Sequence, residues 1–282
     1  MKEKKLKSLK AENMHVPSHI VMVIWCLVSL FPVYMMLVNS FKLKAHIYKN
    51  PFGLPTQWTL DNYKYVFDNS QFFRYFGNSL LVVILSLALI ILLGTLCAYA
   101  LAHWNGLLPK VIYGIIIIGM MLPIKIASIR LLEMMKTLGL LNKIWSLPPI
   151  YVALGIPTAI FILTEFIRGL PKELYEAAFV DGASRFKIYR KVVMPLIGPA
   201  MATVAIYNLV PLWNDLWFPL IFITDENNKT LLLAITKLQG QYSTDWPKLL
   251  ATLTLSALPV MILYVTMSKQ FIGGLTAGAV KG

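Results

Sequence analysis

Polar and aromatic side chains are concentrated in one stretch of an otherwise apolar run, between residues 207 and 217. The candidates in this stretch are Tyr207, Asn208, Trp213, Asn214 and Asp215. An aromatic face combined with amide and carboxylate hydrogen bonds suits a hydroxyl-rich ligand such as a sugar. An ionisable residue within a spanning helix normally faces protein or a water-filled cavity. The five residues are therefore predicted to line a substrate pathway.

The same stretch also has a structural interpretation. Trp213 and Trp217 lie near one predicted end of the run, where an aromatic belt at a membrane surface is common. Asp215 could instead make a structural hydrogen bond to a neighbouring subunit. Both interpretations stay open at this point.

Groups for catalysis or metal binding are scattered along the chain. The four histidines are His15, His19, His46 and His103. They form no His-Glu-x-x-His pair, and no Gly-x-Ser-x-Gly elbow is present, so we predict no catalytic residue and no metal site. Cys26 and Cys97 fall in apolar runs and imply no disulfide. No Gly-Lys-Ser/Thr sequence occurs, so the chain carries no P-loop signature.

A second candidate site is the polar loop around Glu176-Ala177-Ala178 and Gly182. Pro171 suits the first turn of a helix, and acidic residues follow near its positive end. Gly182 can stop the helix in a left-handed conformation. These features predict a short helix from the proline to about Val180.

A second helix is predicted directly after the first. Ser184 is a good N-cap for a helix over 185–193, and Pro195 is expected to end it. The small side chains of Ala177 and Ala178 leave room for another protein to pack closely. We call the two predicted helices and the turn between them the elbow. Six basic residues lie on or beside it, which favours the cytoplasmic side: Arg168, Lys172, Arg185, Lys187, Arg190 and Lys191.

Membrane spans carry the first site and flank the loop that forms the second. Of the 282 residues, 57% are hydrophobic and 14% charged, which is outside the range of soluble globular domains. A spanning helix needs about 20 mostly apolar residues. Six such runs predict an all-α polytopic membrane protein: 19–39, 78–102, 111–127 with an extension to 136, 145–167, 196–222 and 249–267.

The distribution of basic residues predicts the topology. With both termini, the second loop and the loop 168–195 in the cytoplasm, that side carries 14 of the 26 Lys and Arg residues. Residues 1–18 are then a basic cytoplasmic start, 19–267 the six-helix transmembrane domain and 268–282 a cytoplasmic tail. The start resembles a signal peptide, but the apolar run is long and lacks a cleavage site, so an uncleaved first span is expected. The net charge of +13 is spread over several loops, which favours lipid headgroups over nucleic acid.

The spacing of the loop is the most specific signal. After Glu176-Ala177-Ala178 come three residues and Gly182, then nine more residues lead to Val192-Val193-Met194-Pro195. The pattern resembles the signature of binding-protein-dependent ABC importer permeases. It departs only in that Val192 and Met194 stand where the family has Ile and Leu.

Other motifs resemble the maltose-type carbohydrate branch of that family and cover nearly the whole chain. In order they are Leu60-Asp61-Asn62-Tyr63, Asn78-Ser79-Leu80, Ala98-Tyr99-Ala100-Leu101, Leu138-Gly139-Leu140, Trp213-Asn214-Asp215 and Gly278-Ala279-Val280-Lys281-Gly282.

The resemblance implies a type I ABC importer permease fold and a role for the loop. Its helix would couple to a separate ATPase through the following positions: Glu176, Ala177, Ala178, Asp181 and Gly182. Two ATP-binding subunits would hold ATP and Mg, and a second permease chain and an external solute-binding protein would complete the importer. The loop Thr224–Lys248 would reach into that binding protein. The location implied is a bacterial or archaeal cytoplasmic membrane.

Two alternatives of another class are an ion-coupled secondary transporter and, less favoured, a membrane-embedded enzyme. No inverted repeat is visible, and six spans are few for a secondary transporter. Lys125 and Arg130, which follow Pro123, suggest an anionic sugar, although snorkelling to the outer surface is the favoured explanation. The sequence does not name the sugar.

Overall fold

The computed structural model describes the backbone of residues 2–68, 70–238 and 244–279, and side chains over 17–68, 71–238 and 244–266. The final residues 280–282, which carry part of the predicted tail motif, lie outside the described residues. So does the segment 239–243 of the predicted outer loop. By its internal contacts the chain divides into two units, 1–69 with 237–255 and 70–236 with 256–282.

The first unit contains α1 (Lys2–Ser40), α2 (Lys44–Lys49) and α3 (Asp61–Asp68). The connection between α1 and α3 is held by side chains within the unit. Asn62 Nδ2 donates to the carbonyls of Ser40 and Lys42 at 2.8 and 3.0 Å. Ser40 Oγ and the Tyr63 hydroxyl are 2.6 Å apart. The motif Leu60-Asp61-Asn62-Tyr63 therefore ties the start of α3 to the carboxyl end of α1.

The second unit carries most of the helices. They are α4 (Ser70–His103), α5 (Leu107–Met120), α6 (Ser128–Thr137), α7 (Leu147–Arg168), α8 (Glu173–Val180), α9 (Arg185–Ile188), α10 (Met194–Leu196), α11 (Gly198–Trp213), α12 (Trp217–Phe222) and α13 (Leu231–Ile235). A last helix, α14 (Trp246–Ala279), begins in the first unit and continues in the second.

The core of the second unit is the packing of α4, α7 and α11 against one another. Ile90 of α4 and Ala159 of α7 are fully buried in it. Gly155 of α7 lies so close to α4 and α11 that a Cβ there would overlap Ile90 and lie 2.7 Å from Asn208 Oδ1. Small residues at such positions allow membrane helices to approach closely.

Among the described residues, four helices are long and apolar enough to cross a membrane, and six spans result when two bent helix pairs are counted as one each. The straight candidates are Pro17–Ser40, Gln71–His103, Ile144–Arg168 and Trp246–Thr266. The bent pairs are Leu107–Met120 with Ile124–Thr137, at 81°, and Arg185–Leu196 with Gly198–Trp213, at 72°. The predicted all-α class is confirmed, and the upper count equals the number predicted.

Two of the predicted spans are interrupted. The third turns sharply at Pro123, as the sequence predicted, and continues as a 3₁₀ turn and α6. The predicted run 196–222 is not one helix, because α11 ends at Trp213 and α12 starts at Trp217. Hydropathy alone does not report this break, since the residues on both sides of it are apolar.

Candidate functional site

The loop helix α8 ends where the sequence predicted. Gly182 has φ +70°, the left-handed conformation that favours glycine. Its N–H donates to the Phe179 carbonyl, and the Ala183 N–H donates to the Ala178 carbonyl, both at 3.0 Å. This pair of bonds is the Schellman arrangement, which satisfies the last carbonyls of a helix. The chain therefore turns back immediately after α8.

The second half of the elbow starts as predicted but ends differently. The Lys187 N–H donates to Ser184 Oγ at 3.3 Å, so Ser184 is the N-cap of α9. Pro195, predicted to end this helix, instead lies inside α10. A π-helical turn, Tyr189–Val193, precedes it. The wider π-helical turn accommodates Pro195, which has no N–H to donate. The helix axis therefore bends only after Leu196.

The outer surface of α8 is open and largely apolar. Glu176, Ala177, Asp181 and Gly182 are exposed and Ala178 is half-buried. Exposed apolar side chains surround them, with Val180 88% exposed: Leu174, Phe179 and Val180. An exposed apolar patch with a polar rim is typical of a protein contact surface. The five predicted coupling residues thus lie together on one short helix and its turn.

The opposite side of α8 is anchored by Tyr175, which is only 8% exposed. Its ring meets the His103 imidazole edge-on at a centroid distance of 4.2 Å. The His103 ring contacts Tyr99 in a tilted arrangement with 4.4 Å between centroids, and Tyr99 contacts Tyr189 at 5.4 Å. The Tyr189 hydroxyl is 2.8 Å from Thr95 Oγ1. We call these four rings, Tyr175, His103, Tyr99 and Tyr189, the aromatic column.

The aromatic column joins both halves of the elbow to the end of α4. The Tyr99 hydroxyl donates to the Arg185 carbonyl at 3.0 Å, which adds a hydrogen bond to the start of α9. The Tyr175 hydroxyl is buried and has no hydrogen-bond partner within the described part of the chain. Burial raises the pKa of Tyr175 to about 12, so this ring is neutral at physiological pH.

The carboxylate of Asp215 lies in the break between α11 and α12. It accepts hydrogen bonds from the Tyr151 hydroxyl at 2.8 Å, the Trp217 N–H at 3.1 Å and the Phe218 N–H at 3.3 Å. The two N–H groups belong to the first turn of α12, where a carboxylate satisfies unpaired donors. Asp215 therefore fixes the start of α12 to α7.

The other predicted pathway residues are distributed around this break. Asn208 is buried beside Gly155, and its Nδ2 donates to the Val204 carbonyl at 2.9 Å. Trp213 is buried, and its Nε1 donates to the Ser256 carbonyl at 3.0 Å. Asn214 is exposed and bonds back to its own helix.

Tyr207 is the predicted pathway residue that faces a large cavity. The cavity has a volume of about 560 Å³ and lies at the bend between α5 and the following 3₁₀ turn, with Pro157 and Thr158 of α7 opposite. Tyr207 is exposed on its wall. Irregular backbone within a membrane span is tolerated where it lines a cavity or is covered by protein.

The two cations that suggested an anionic sugar have different surroundings. Arg130 is paired with Glu133 at 2.7 Å on an exposed helix face. Lys125 Nζ lies 5.5 Å from the centre of the Trp217 ring, and Trp217 Nε1 donates to Ser128 Oγ at 2.9 Å. Lys125 is the better placed of the two for an anionic group, and the anionic substrate stays a prediction.

Comparison with known proteins identifies the family. Residues 90–271 match the family described as binding-protein-dependent transport system inner membrane component. The chain belongs to this family. The matched segment contains α7 to α13, and with them both candidate sites.

Among similar permeases is a putative ABC transporter permease from a Caldicellulosiruptor species, 38% identical over 93% of this chain and 96% of the relative. The diacetylchitobiose uptake permease of Streptomyces coelicolor is 32% identical over 93% and 87%. The melibiose, raffinose and stachyose import permease of Bacillus subtilis is 30% identical over 98% and 100%. A bacterial ABC transporter that imports the acidic polysaccharide alginate has a similar fold, with TM-score 0.80 over 93% of this chain and 98% of that one, at 21% identity.

Sequence reasoning did not find every residue that positions the two sites of this permease. Tyr151 falls within the apolar run 145–167, where nothing in the sequence distinguishes it, and its hydroxyl holds Asp215. Tyr175 falls within the predicted loop helix, and the sequence assigns it no role. A usable signal was the spacing of Tyr99 and His103, which places two rings on one helix face at the end of α4.

Proposed function

We propose that this permease is a membrane-spanning subunit of an ATP-driven importer that carries a sugar or oligosaccharide into the cytoplasm. The observation that carries the proposal is the elbow: an exposed apolar patch on α8, backed by a buried anchor, Tyr175, that reaches the end of a spanning helix. The permeases named above, which take up diacetylchitobiose or import melibiose, raffinose and stachyose, support a carbohydrate substrate.

In this proposal the patch on α8 docks into a separate ATP-binding subunit, of which the importer has two. ATP and Mg are bound there and hydrolysed there, so this chain itself is not an enzyme. When the ATP-binding subunits close, α8 is displaced, and the aromatic column passes the displacement to α4 as one packed unit. The spans then switch between inward-facing and outward-facing states, which is alternating access.

The remaining partners follow from the same proposal. A second permease chain completes the pathway, and an external solute-binding protein delivers the sugar. The coupling loop and both termini lie in the cytoplasm, and the membrane is the cytoplasmic membrane of a bacterium or archaeon. Within this chain Tyr207, on the wall of the 560 Å³ cavity, is the best placed residue for the sugar. Asn208, Trp213, Asn214 and Asp215 support the shape of that region.

Reconstitution tests the proposal directly. The chain is expressed with its genomic neighbours, purified with whatever co-purifies, and placed in proteoliposomes that contain ATP. Sugar uptake that requires an ATP-binding subunit and persists with ionophores present is expected. Uptake by this chain without such a subunit, or uptake abolished by a proton or sodium ionophore, would make it a secondary transporter instead.

Two pairs of variants test the elbow. Glu176→Ala and Gly182→Asp are expected to reduce ATP-driven uptake. Glu173→Ala, which removes another exposed acidic residue of the same helix, is the control for the first. Gly182→Asn is the control for the second, because Asn tolerates the left-handed conformation better than other residues do. Full transport by both test variants would remove the proposed role of the loop.

A further inference from the structure

A second cavity lies at the end of the bundle that carries the elbow. It has a volume of about 390 Å³ and lies between the turn after α4, the start of α5 and the end of α7. Its walls include Trp104, Lys110, Tyr113 and Arg168. None of these residues takes part in the coupling patch or in the substrate cavity.

Arg168 is held in place on this wall. Its guanidinium lies 4.9 Å from the centre of the Tyr113 ring, and its NH1 donates to Glu165 Oε1 at 2.8 Å. The Tyr113 hydroxyl donates to the same oxygen at 3.0 Å. One planar guanidinium with five donors is thereby fixed in orientation before any ligand arrives.

Glu165 compensates the positive charge of Arg168, and the positive charge of Lys110 is left over. No ion pair involves Lys110 within the part of the chain that the structure describes. With Arg168 and Glu165 opposing each other, the cluster of three has a net charge of +1. A single phosphodiester, with one negative charge, matches that net charge.

The rim of the cavity consists of Trp104, which lines it, and the neighbouring Leu107 and Leu108. The three side chains are 61%, 77% and 70% exposed. Trp104 lies between the candidate spanning helices Gln71–His103 and Leu107–Met120, and Leu107 and Leu108 begin the second of these, which places all three near the level of the membrane surface. Tryptophan is enriched at that level because its ring is apolar and its N–H is polar. A ligand here therefore has an anionic head at the cations and a hydrocarbon part along the rim.

We propose that this cavity binds the phosphate of an anionic phospholipid, such as phosphatidylglycerol. Lys110 and Arg168 contact the phosphate, and Trp104, Leu107 and Leu108 contact the upper acyl chains. Basic pockets between spanning helices recognise anionic headgroups in this way. Arg168 is the last residue of α7 and directly precedes the elbow, so the bound lipid contacts the base of the moving segment.

The test measures lipid binding, independently of transport. The permease, purified with the subunits that accompany it, is placed in nanodiscs of phosphatidylcholine containing graded amounts of phosphatidylglycerol, and retained lipid is measured by native mass spectrometry. Lys110→Gln is expected to lower the affinity for phosphatidylglycerol about fivefold, and Lys110→Gln with Arg168→Gln further still. Lys143→Gln, an exposed lysine of another loop, is the control and should leave the affinity unchanged.

A charge change in the opposite direction separates recognition from damage to the fold. Glu165→Gln raises the net charge of the cluster to +2 and is expected to strengthen phosphatidylglycerol binding. Equal retention of phosphatidylglycerol by wild type and the double variant would overturn the proposal. So would tight binding of inorganic phosphate or glycerol 3-phosphate in pure phosphatidylcholine nanodiscs, because the site would then serve a free phosphate compound.

Discussion

The rings of Tyr175 and His103 pack edge to face, with 4.2 Å between their centroids. Tyr175 belongs to the loop helix α8, and His103 is the last residue of the spanning helix α4. The two residues form a direct contact between the proposed coupling helix and the membrane bundle. A displacement of α8 is therefore expected to reach α4 through this packing.

Tyr175→Ala is expected to uncouple the importer. Removing a buried aromatic ring costs about 3 kcal/mol, and the lost contact is the one between α8 and α4. ATP-driven uptake should fall at least about tenfold, which corresponds to about 1.4 kcal/mol of lost coupling. The measurement is sugar uptake and ATP hydrolysis in the same proteoliposomes, with hydrolysis retained.

Tyr175→Phe is the matched control for that variant. The hydroxyl is buried and has no partner among the described residues, so removing it should cost nothing in the folded state. Uptake near the wild-type level is expected. A Phe variant as impaired as the Ala variant would show that the hydroxyl, and not the packing of the ring, is what the permease needs.

Asp215→Ala is expected to destabilise the protein without changing the affinity for sugar. The substitution leaves the Tyr151 hydroxyl and two N–H groups of α12 without their acceptor. Each buried donor left without a partner lowers the stability of the fold by about 1–3 kcal/mol. Thermal unfolding of the solubilised transporter measures the loss, and the KM for uptake measures substrate contact. Tyr151→Phe should be milder, because it removes the donor together with its need for an acceptor. A large rise in KM with unchanged unfolding would instead place Asp215 in the substrate path.

The features that the sequence predicted well are local ones. The end of α8 at Gly182 and the N-cap at Ser184 depend on residues within one helical turn, so residue type and spacing were enough. The turn at Pro123 belongs to the same class. In each case the backbone conformation is dictated by the residue that adopts it.

The features that the sequence did not predict depend on distant partners. Tyr175 and His103 are 72 positions apart in the chain, and Tyr151 and Asp215 are 64 apart. Neither pair leaves a periodic signal in one sequence. The break between α11 and α12 was missed for a related reason, since the carboxylate that stabilises the new helix start is itself held by a residue of α7.

Gly155→Ala is expected to disrupt the packing of the bundle. The added Cβ would overlap Ile90 Cδ1 and lie 2.7 Å from Asn208 Oδ1, so α7 must move away from α4 or α11. Overpacking of this kind costs about 1–3 kcal/mol. Gly114→Ala is the control, because nothing lies within 4 Å of a Cβ there and alanine favours a helix. Thermal unfolding should separate the two variants, and equal stability would mean that the three helices are not close-packed at Gly155.

Lys42→Met is expected to loosen the connection between α1 and α3. Lys42 is 1% exposed, and its ammonium donates to the carbonyls of Asn50 at 2.8 Å and Gly53 at 2.6 Å. Burial lowers its pKa, and the carbonyl oxygens that accept its hydrogen bonds stabilise the charged form.

Methionine fills a similar volume but donates no hydrogen bond, so the carbonyls around Lys42 lose their partner. We expect the free energy of unfolding to fall by about 3 kcal/mol. Proteolysis within residues 50–60 should also be faster in right-side-out vesicles. Lys44→Met, at an exposed position two residues away, removes the same charge without those contacts and should behave as wild type. Equal proteolysis of the two variants would mean that the ammonium is replaceable and that Asn62 alone holds this connection.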